Sequence, residues 1–327
     1  MQAFQTQQGR IRRLAFAYDG RTLITASDRS PGVCIWDSMQ QRPGKHWTTQ
    51  GTVTALAASP TAPLLAAADQ TGTIWVWNLQ DDTVTHRIPN RANSVQCLDF
   101  SKDGQWLAAG AMRRGIGLQV LQIRRWEMPS GLERLPLIGH RDLITALSFS
   151  NDSKWLASGG HDRSIRLWEM ATGKQRFGFS NWIQTFLTRF NIAAGQEQKA
   201  LVSNRTGIRS LAFSPDDRLL AAATGWSPTI FDVEWPQYPD DSPRLIPRRR
   251  YQGHQNLVDC VAFGPNGKIL ASACRDGLVK LWDVETDSEI STFTLGVGQA
   301  FSVAFAPDGL RAAVGGADGR VVLWDLD

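Results

Sequence analysis

The sequence predicts an all-β chain made of one unit repeated seven times, and three observations carry that prediction. Residues 139–169, GHRDLITALSFSNDSKWLASGGHDRSIRLWE, hold three short apolar runs separated by the polar connections SNDSK and GGHDRS. Runs of that length between turn residues read as antiparallel strands. The same text returns at residues 253–283 and, more loosely, five further times. Two aromatic markers also keep step along the chain. Phenylalanine closes the first strand at Phe16, Phe100, Phe149, Phe213, Phe263 and Phe305, with Ala58 in unit two; the third strand ends at Trp36, Trp77, Trp126, Trp168, Phe231, Trp282 and Trp324. A repeat of this length describes sheets that stack and bury one another, because one such sheet cannot cover both of its faces alone.

Successive first-strand markers lie 42, 42, 49, 64, 50 and 42 residues apart. The units therefore run approximately over 9–37, 51–78, 93–127, 139–169, 205–232, 253–283 and 297–325, within one domain spanning 1–327. Unit one carries a short insertion at 28–32, and unit two has Ala58 and Trp77-Asn78 at its marker positions. Unit three is seven residues longer than the 42-residue period, the surplus lying in 112–126, which leaves the register of its third strand open. After unit four about 22 extra residues fall within 177–204, where Trp182, Ile183, Phe186, Leu187 and Phe190 recur at helical spacing. They read as a short helix or extended hairpin on their own sheet, with a partner-docking element as the alternative. Unit five ends on Phe231 and leads through a proline-rich loop to the basic run 248–250, read as a solvated face. Units six and seven are regular. The strands are apolar on both faces, as burial between neighbours requires. Small residues crowd the second strand, at 66–68, 108–109, 221–223, 271 and 312–313.

Composition bounds the function. A hydrophobic content of 42% supports a buried core, and a net charge of +4 is too mild to indicate nucleic acid by itself. Cys34, Cys97, Cys260 and Cys274 have no CxxC spacing and sit in strand-like runs, which reads as buried reduced thiols. No apolar run is long enough to insert in a membrane, so a cytoplasmic location is expected.

The pairs Gly139-His140 and Gly253-His254, the runs Phe213-Ser-Pro-Asp-Asp and Phe305-Ala-Pro-Asp-Gly, and the pairs Trp36-Asp37, Trp282-Asp283 and Trp324-Asp325 resemble the WD-repeat (tryptophan–aspartate repeat) family over essentially the whole chain. The resemblance implies a seven-bladed β-propeller of four-stranded antiparallel blades. In that family the fourth strand of a blade follows the WD pair, and the chain stops two residues beyond Trp324-Asp325. The N-terminal segment 2–7 is therefore expected to supply the last blade's fourth strand and close the ring.

His140, Ser158, Asp162 and Trp168, and their twins His254, Ser272, Asp276 and Trp282, could suggest a hydrolytic Ser-His-Asp set. The resemblance implies structural tetrads instead, in which Asp holds His, His bonds Ser and Ser bonds the Trp indole. The other units break the pattern; unit seven has Val314 at the Ser position. No catalytic residue, cofactor or metal is expected. His46, His86 and His161 lack ligand spacing, and the Ala171-Thr-Gly-Lys run reads as a tight turn. The family binds partners through the loop around Gly-His and the residue before the turn Asp. Mapped here, those positions give Arg10, Arg141, Leu143, His161, Arg205, Trp226, Leu257 and Arg275, rich in the residue types that anchor interfaces. The expected role is a non-catalytic scaffold for another protein or an acidic or phosphorylated peptide, as a monomer or within a larger assembly. Two alternatives stay open: a reader of phosphate-bearing ligands (nucleic acid or phosphoinositide) and an enzyme with its site at the channel mouth.

Overall fold

A computed structural model describes residues 2–5, 9–40, 42–89, 94–114, 119–179, 207–238 and 241–326. The described residues form strands and connections without helix. Strand β1 (Gln2–Gln5) comes first. Blade one holds β2 (Ile11–Phe16), β3 (Thr22–Ser27), β4 (Pro31–Asp37) and the first part of β5 (Arg42–Ala58); blade two takes the rest of β5 with β6 (Leu64–Asp69), β7 (Ile74–Asn78) and β8 (Val84–Ile88). Blade three is β9 (Ser94–Phe100), β10 (Trp106–Arg114), β11 (Gln119–Glu127) and β12 (Leu132–Ile138), and blade four is β13 (Ile144–Phe149), β14 (Trp155–Gly160), β15 (Ile165–Glu169) and β16 (Gln175–Phe179). Blade five is β17 (Ile208–Phe213), β18 (Leu219–Thr224), β19 (Ser227–Glu234) and β20 (Arg244–Arg250), and blade six is β21 (Val258–Phe263), β22 (Ile269–Cys274), β23 (Leu278–Asp283) and β24 (Ser288–Thr294). Blade seven joins β25 (Ala300–Phe305), β26 (Arg311–Gly316) and β27 (Arg320–Asp325) to β1, which pairs antiparallel with β27 from Gln2↔Leu323 to Gln5↔Arg320.

The first strands, β2, β5, β9, β13, β17, β21 and β25, neighbour one another in a closed cycle, β25 returning to β2. Backbone-to-side-chain bonds stitch several of them: Phe149 N–H donates to Asp99 at 2.7 Å, Phe213 N–H to Ser148 at 3.2 Å and Leu14 N–H to Ser302 at 3.3 Å. The hydrophobic clusters lie between blades. One gathers Ala68 and Val76 of blade two with Phe100 and Trp126 of blade three; another gathers Val279 and Leu281 of blade six with Val314 and Trp324 of blade seven. The closing cluster packs Ile11 and Leu23 of blade one on Val321 and Leu323 of blade seven. The small second-strand residues follow from this approach. A Cβ on Gly159 would lie 2.5 Å from Ile208 of the next blade, and one on Gly315 would lie 2.5 Å from Ile11.

The SPDG-like turns form for a local reason. The hydroxyls of Ser101, Ser150 and Ser214 each accept the N–H five residues on, at 2.8, 3.0 and 2.9 Å. Each also meets the aspartate two residues on, at 2.5 to 2.6 Å.

Two details differ from the expectation of separate four-stranded blades. Blades one and two form one seven-stranded sheet, because β5 runs unbroken for 17 residues, pairing β4 with its first part and β6 with its second. No Gly-His pair interrupts it, and Gly51 sits within the strand. The surplus of unit three lengthens the β10–β11 hairpin, whose register runs from Trp106↔Glu127 to Arg114↔Gln119. His46 and His86 lie in fourth strands, β5 and β8. The cysteines are thiols rather than disulfides; Cys97 and Cys274 are buried, while Cys34 and Cys260 are half-buried. Of the insertion after unit four, β16 covers the start; residues 180–206, with the helically spaced aromatic set and Arg205, lie outside the described residues, as do 6–8.

Removing residues 1–8 exposes the β27 edge and weakens the closing interface. The unfolding temperature is expected to drop by roughly 5 °C or more, with self-association visible in light scattering. Calorimetry showing an unchanged transition would contradict ring closure by β1.

Candidate functional site

At one end of the ring, blades one, two, four, six and seven present the loop entering the first strand beside the turn leaving the second. The two are tied by a repeated backbone bond: His161 N–H to Leu143 O at 2.8 Å, Arg275 to Leu257 at 2.9 Å, Gln70 to Thr52 at 3.0 Å, Ala317 to Gln299 at 2.9 Å and Asp28 to Arg10 at 3.1 Å. The turn aspartates hold the same loops from the other side. Asp162 accepts the Arg141 N–H, Asp276 that of Gln255 and Asp28 that of Arg10, each at 2.9 Å, and Asp69 accepts that of Gln50 at 3.2 Å. The rim backbone is thus fixed while its side chains are left to project.

Behind the rim lie the two polar sets. His140 Nδ1 is 2.9 Å from Asp162, its Nε2 is 2.7 Å from Ser158 Oγ, and the Trp168 indole donates to the same hydroxyl at 2.8 Å. The corresponding distances around His254 are 2.9, 2.8 and 2.9 Å. Both histidine side chains have no exposed surface. With the indole N–H on the serine oxygen and the imidazole filled on both nitrogens, neither serine is presented to a substrate. Burial pushes the Asp162 carboxyl up, but bonds and charge from His140, with the Arg141 N–H and Ser164, outweigh that and hold it far below the usual range. Asp276 is lowered in the same way, burial being overcome by the Gln255 and Leu278 N–H groups and His254. Burial holds His254 below its ordinary value against the pull of Asp276. Cys274 stands close enough to His254 and Asp276 for a three-ligand cluster. Its thiol donates to Asn256 O at 3.2 Å and accepts the Asp276 N–H at 3.4 Å, so the group is knit by hydrogen bonds.

Other blades keep fragments of the set. In blade one Thr25 accepts the Trp36 indole at 2.9 Å; in blade two Asp69 accepts the Trp75 indole at 2.9 Å. In blade seven Val314 offers no acceptor, and the buried Trp324 indole N–H has no hydrogen-bond partner among the described residues.

Inside the rim, each first strand carries a β-bulge one residue in, at Arg12, Thr54, Gln96, Thr145, Arg209, Asp259 and Phe301. A bulge re-aims its extra residue, and all seven line one recess of about 380 Å³ at the channel mouth, with Arg13, Asp28, Leu143, His161 and Arg275 beside them. Asp259 accepts from Arg209 at 2.8 Å and from Arg275 at 2.6 and 3.2 Å. Arg12 lies 3.5 Å from Asp28, and its guanidinium sits 4.6 Å over the Phe301 ring.

The eight rim positions named from the sequence are placed as follows. Leu143, His161 and Arg275 line the recess together. Arg10 and Arg141 are exposed farther out, Arg10 with its guanidinium 4.0 Å from Asp28. Trp226 is 45% exposed in the β18–β19 turn, and Leu257 is half-buried. Arg205 lies outside the described residues. Arg275 is held by Asp259 and is not a free rim cation. Sequence reasoning missed the mouth itself: Arg12, Arg13, Arg209, Asp259 and Phe301. The available signal was a charged or bulky residue at one fixed place in each otherwise apolar first strand.

The WD domain, G-beta repeat family (WD40) matches six stretches, 41–78, 83–116, 133–169, 195–231, 246–283 and 290–325. These cover more than half of the chain, and the protein belongs to the WD40 family. Blade one, whose first three strands form outside those matches, completes the seven. Among curated relatives, WD repeat-containing protein 18 of Bos taurus is 24% identical over 85% of this chain and 61% of its own. The guanine nucleotide-binding protein subunit beta of Zea mays is 22% identical over 75% of this chain and 58% of its own. Target of rapamycin complex subunit wat1 of Schizosaccharomyces pombe is 33% identical over 25% of this chain and 24% of its own. The chain thus spans less than two thirds of each of these relatives.

Two outcomes follow for the tetrads. Val314→Thr supplies the Trp324 indole with a hydroxyl, as Thr25 does for Trp36, and is expected to raise stability by about 1 kcal/mol in urea unfolding. Stability should also fall with acid in two stages. His254, depressed in the fold, contributes fully above its ordinary value of 6.5 and loses that contribution as pH drops below it. Asp162 and Asp276, also depressed, hold their contribution above the ordinary 3.8 and lose it below. Asp276→Asn should flatten the second stage in urea midpoints recorded against pH; a curve matching wild type would refute the assignment.

Proposed function

We propose that the chain is a non-catalytic scaffold that docks an acidic segment of a partner protein across the rim and over the channel mouth. The observation that carries this reading is the gathering of Leu143, His161 and Arg275 around one recess whose lining holds four arginines and two aspartates. Backbone bonds already fix the surrounding loops, so little ordering cost remains at the moment of binding. Exposed Trp226 supplies an aromatic anchor and Arg141 an exposed cation on the same rim. Two of the relatives are named as subunits of larger assemblies, which agrees with a role in complex formation.

The test is affinity capture from cells with wild type and the Arg141→Glu/Trp226→Ala double variant. Neither side chain takes part in the tetrads, so folding should be retained. Recovery of specific partners is expected to drop at least about fivefold, equivalent to roughly 1 kcal/mol of binding. Undiminished recovery at equal expression would retire this face as the docking surface.

A further inference from the structure

The residue following each bulge also faces the channel, and in six blades it is small: Ala55, Cys97, Ala146, Ser210, Cys260 and Ser302. In blade one it is Arg13, which lines the same channel wall as those small residues. Its donors reach carbonyls, Arg12 O at 3.1 Å and Gln96 O of blade three at 3.4 Å, and no ion pair of Arg13 is formed among the described residues. Across the mouth, Arg209 gives Nη1 to Asp259 while its Nε is buried without a hydrogen-bond partner among the described residues. Asp259 is shared by Arg209 and Arg275, and Asp28 lies beside Arg12. The four arginines and two aspartates of the lining leave two positive charges unbalanced over the recess. Burial holds both Arg13 and Arg209 below the usual arginine range, with Asp259 pulling the other way.

We propose that this recess is a phosphate-binding site that receives one phosphate monoester, with Arg13 and Arg209 as its principal donors. A monoester carries close to two negative charges at neutral pH and spreads them over three acceptor oxygens. That matches the unbalanced charge and lets one group reach donors on two blades; a carboxylate offers half the charge and two oxygens. The cationic lining closes on a single recess and does not run as a track, which favours one phosphate over a nucleic-acid backbone. The proposal deepens the docking reading and rests on it for the source of the phosphate, a phosphorylated side chain of the docked segment.

Calorimetric titration of the full chain at low ionic strength tests it with three probes: inorganic phosphate, a short acidic peptide carrying one phosphoserine, and the same peptide unphosphorylated. The phosphopeptide is expected to bind at least tenfold more tightly than its unphosphorylated twin and to weaken below about pH 6, where the monoester takes up a proton. Arg13→Gln and Arg209→Gln should each weaken it at least tenfold, with unchanged unfolding temperatures; two variants on different blades guard against misfolding of either. Inorganic phosphate binding as tightly as the phosphopeptide would assign the site to a free phosphate compound. Equal affinity for the two peptides, no binding of any phosphate probe, or affinities untouched in both variants would overturn the site. Partner capture by Arg13→Gln, scored separately, keeps the two readings apart. Retained capture with lost phosphate affinity leaves docking standing, and lost capture in Arg141→Glu/Trp226→Ala alone leaves the phosphate site standing.

Discussion

Apolar contact between neighbouring sheets is the constraint on which everything else in this molecule rests. Each hydrophobic cluster straddles two blades, from Ala68 with Phe100 to Ile11 with Val321, so no blade possesses a core of its own. A sheet that needs both neighbours can be satisfied only in a closed ring. The pairing of β1 with β27 makes the closing blade like the others and removes an edge that would otherwise solicit foreign strands. The tight alanine and glycine second strands belong to the same requirement. Gly159 and Gly315 stand where any side chain would strike the isoleucine of the adjoining blade.

That packing also dictates where polar chemistry can occur. The two faces of each sheet are committed to neighbours, which leaves the rims and the channel. The tetrads use buried hydrogen bonding to fasten the rim, with the aspartate serving both the imidazole and the backbone of the facing loop. At the centre, a bulge in each first strand turns one residue into the channel, and the identity of that residue is free to vary because no blade packs on it. Arginine, aspartate and phenylalanine in four of those seven places, with threonine and glutamine in the other three, make the mouth polar and net cationic without disturbing the ring.

Much of this was legible in the sequence, for a definite reason. The ruler phenylalanines and the closing tryptophans are the buried anchors of each interface, so their spacing reports the blades directly. The residues named for the tetrads fall at bonding distances because His, Ser, Asp and Trp each have one way to satisfy the others when buried. The fusion of blades one and two was not legible: most other units also lack a Gly-His pair, and a missing turn leaves no positive mark. The channel mouth was missed because a period-two reading assigns alternate residues to two faces, whereas a bulge adds a residue that belongs to neither. Arg275 looked like a rim cation because its neighbour in space, Asp259, lies 16 residues earlier in the chain.

The unbroken β5 has a mechanical consequence. Two adjacent sectors linked through one continuous strand cannot pivot about a loop, so together they act as a single broad plate spanning more of the circumference than any other element. Arg12 and Arg13 stand on that plate, and Arg209 stands on blade five, outside it. Any small breathing of the ring would then change the gap between fixed and movable guanidinium groups, making the width of the mouth the coordinate most sensitive to what settles in it.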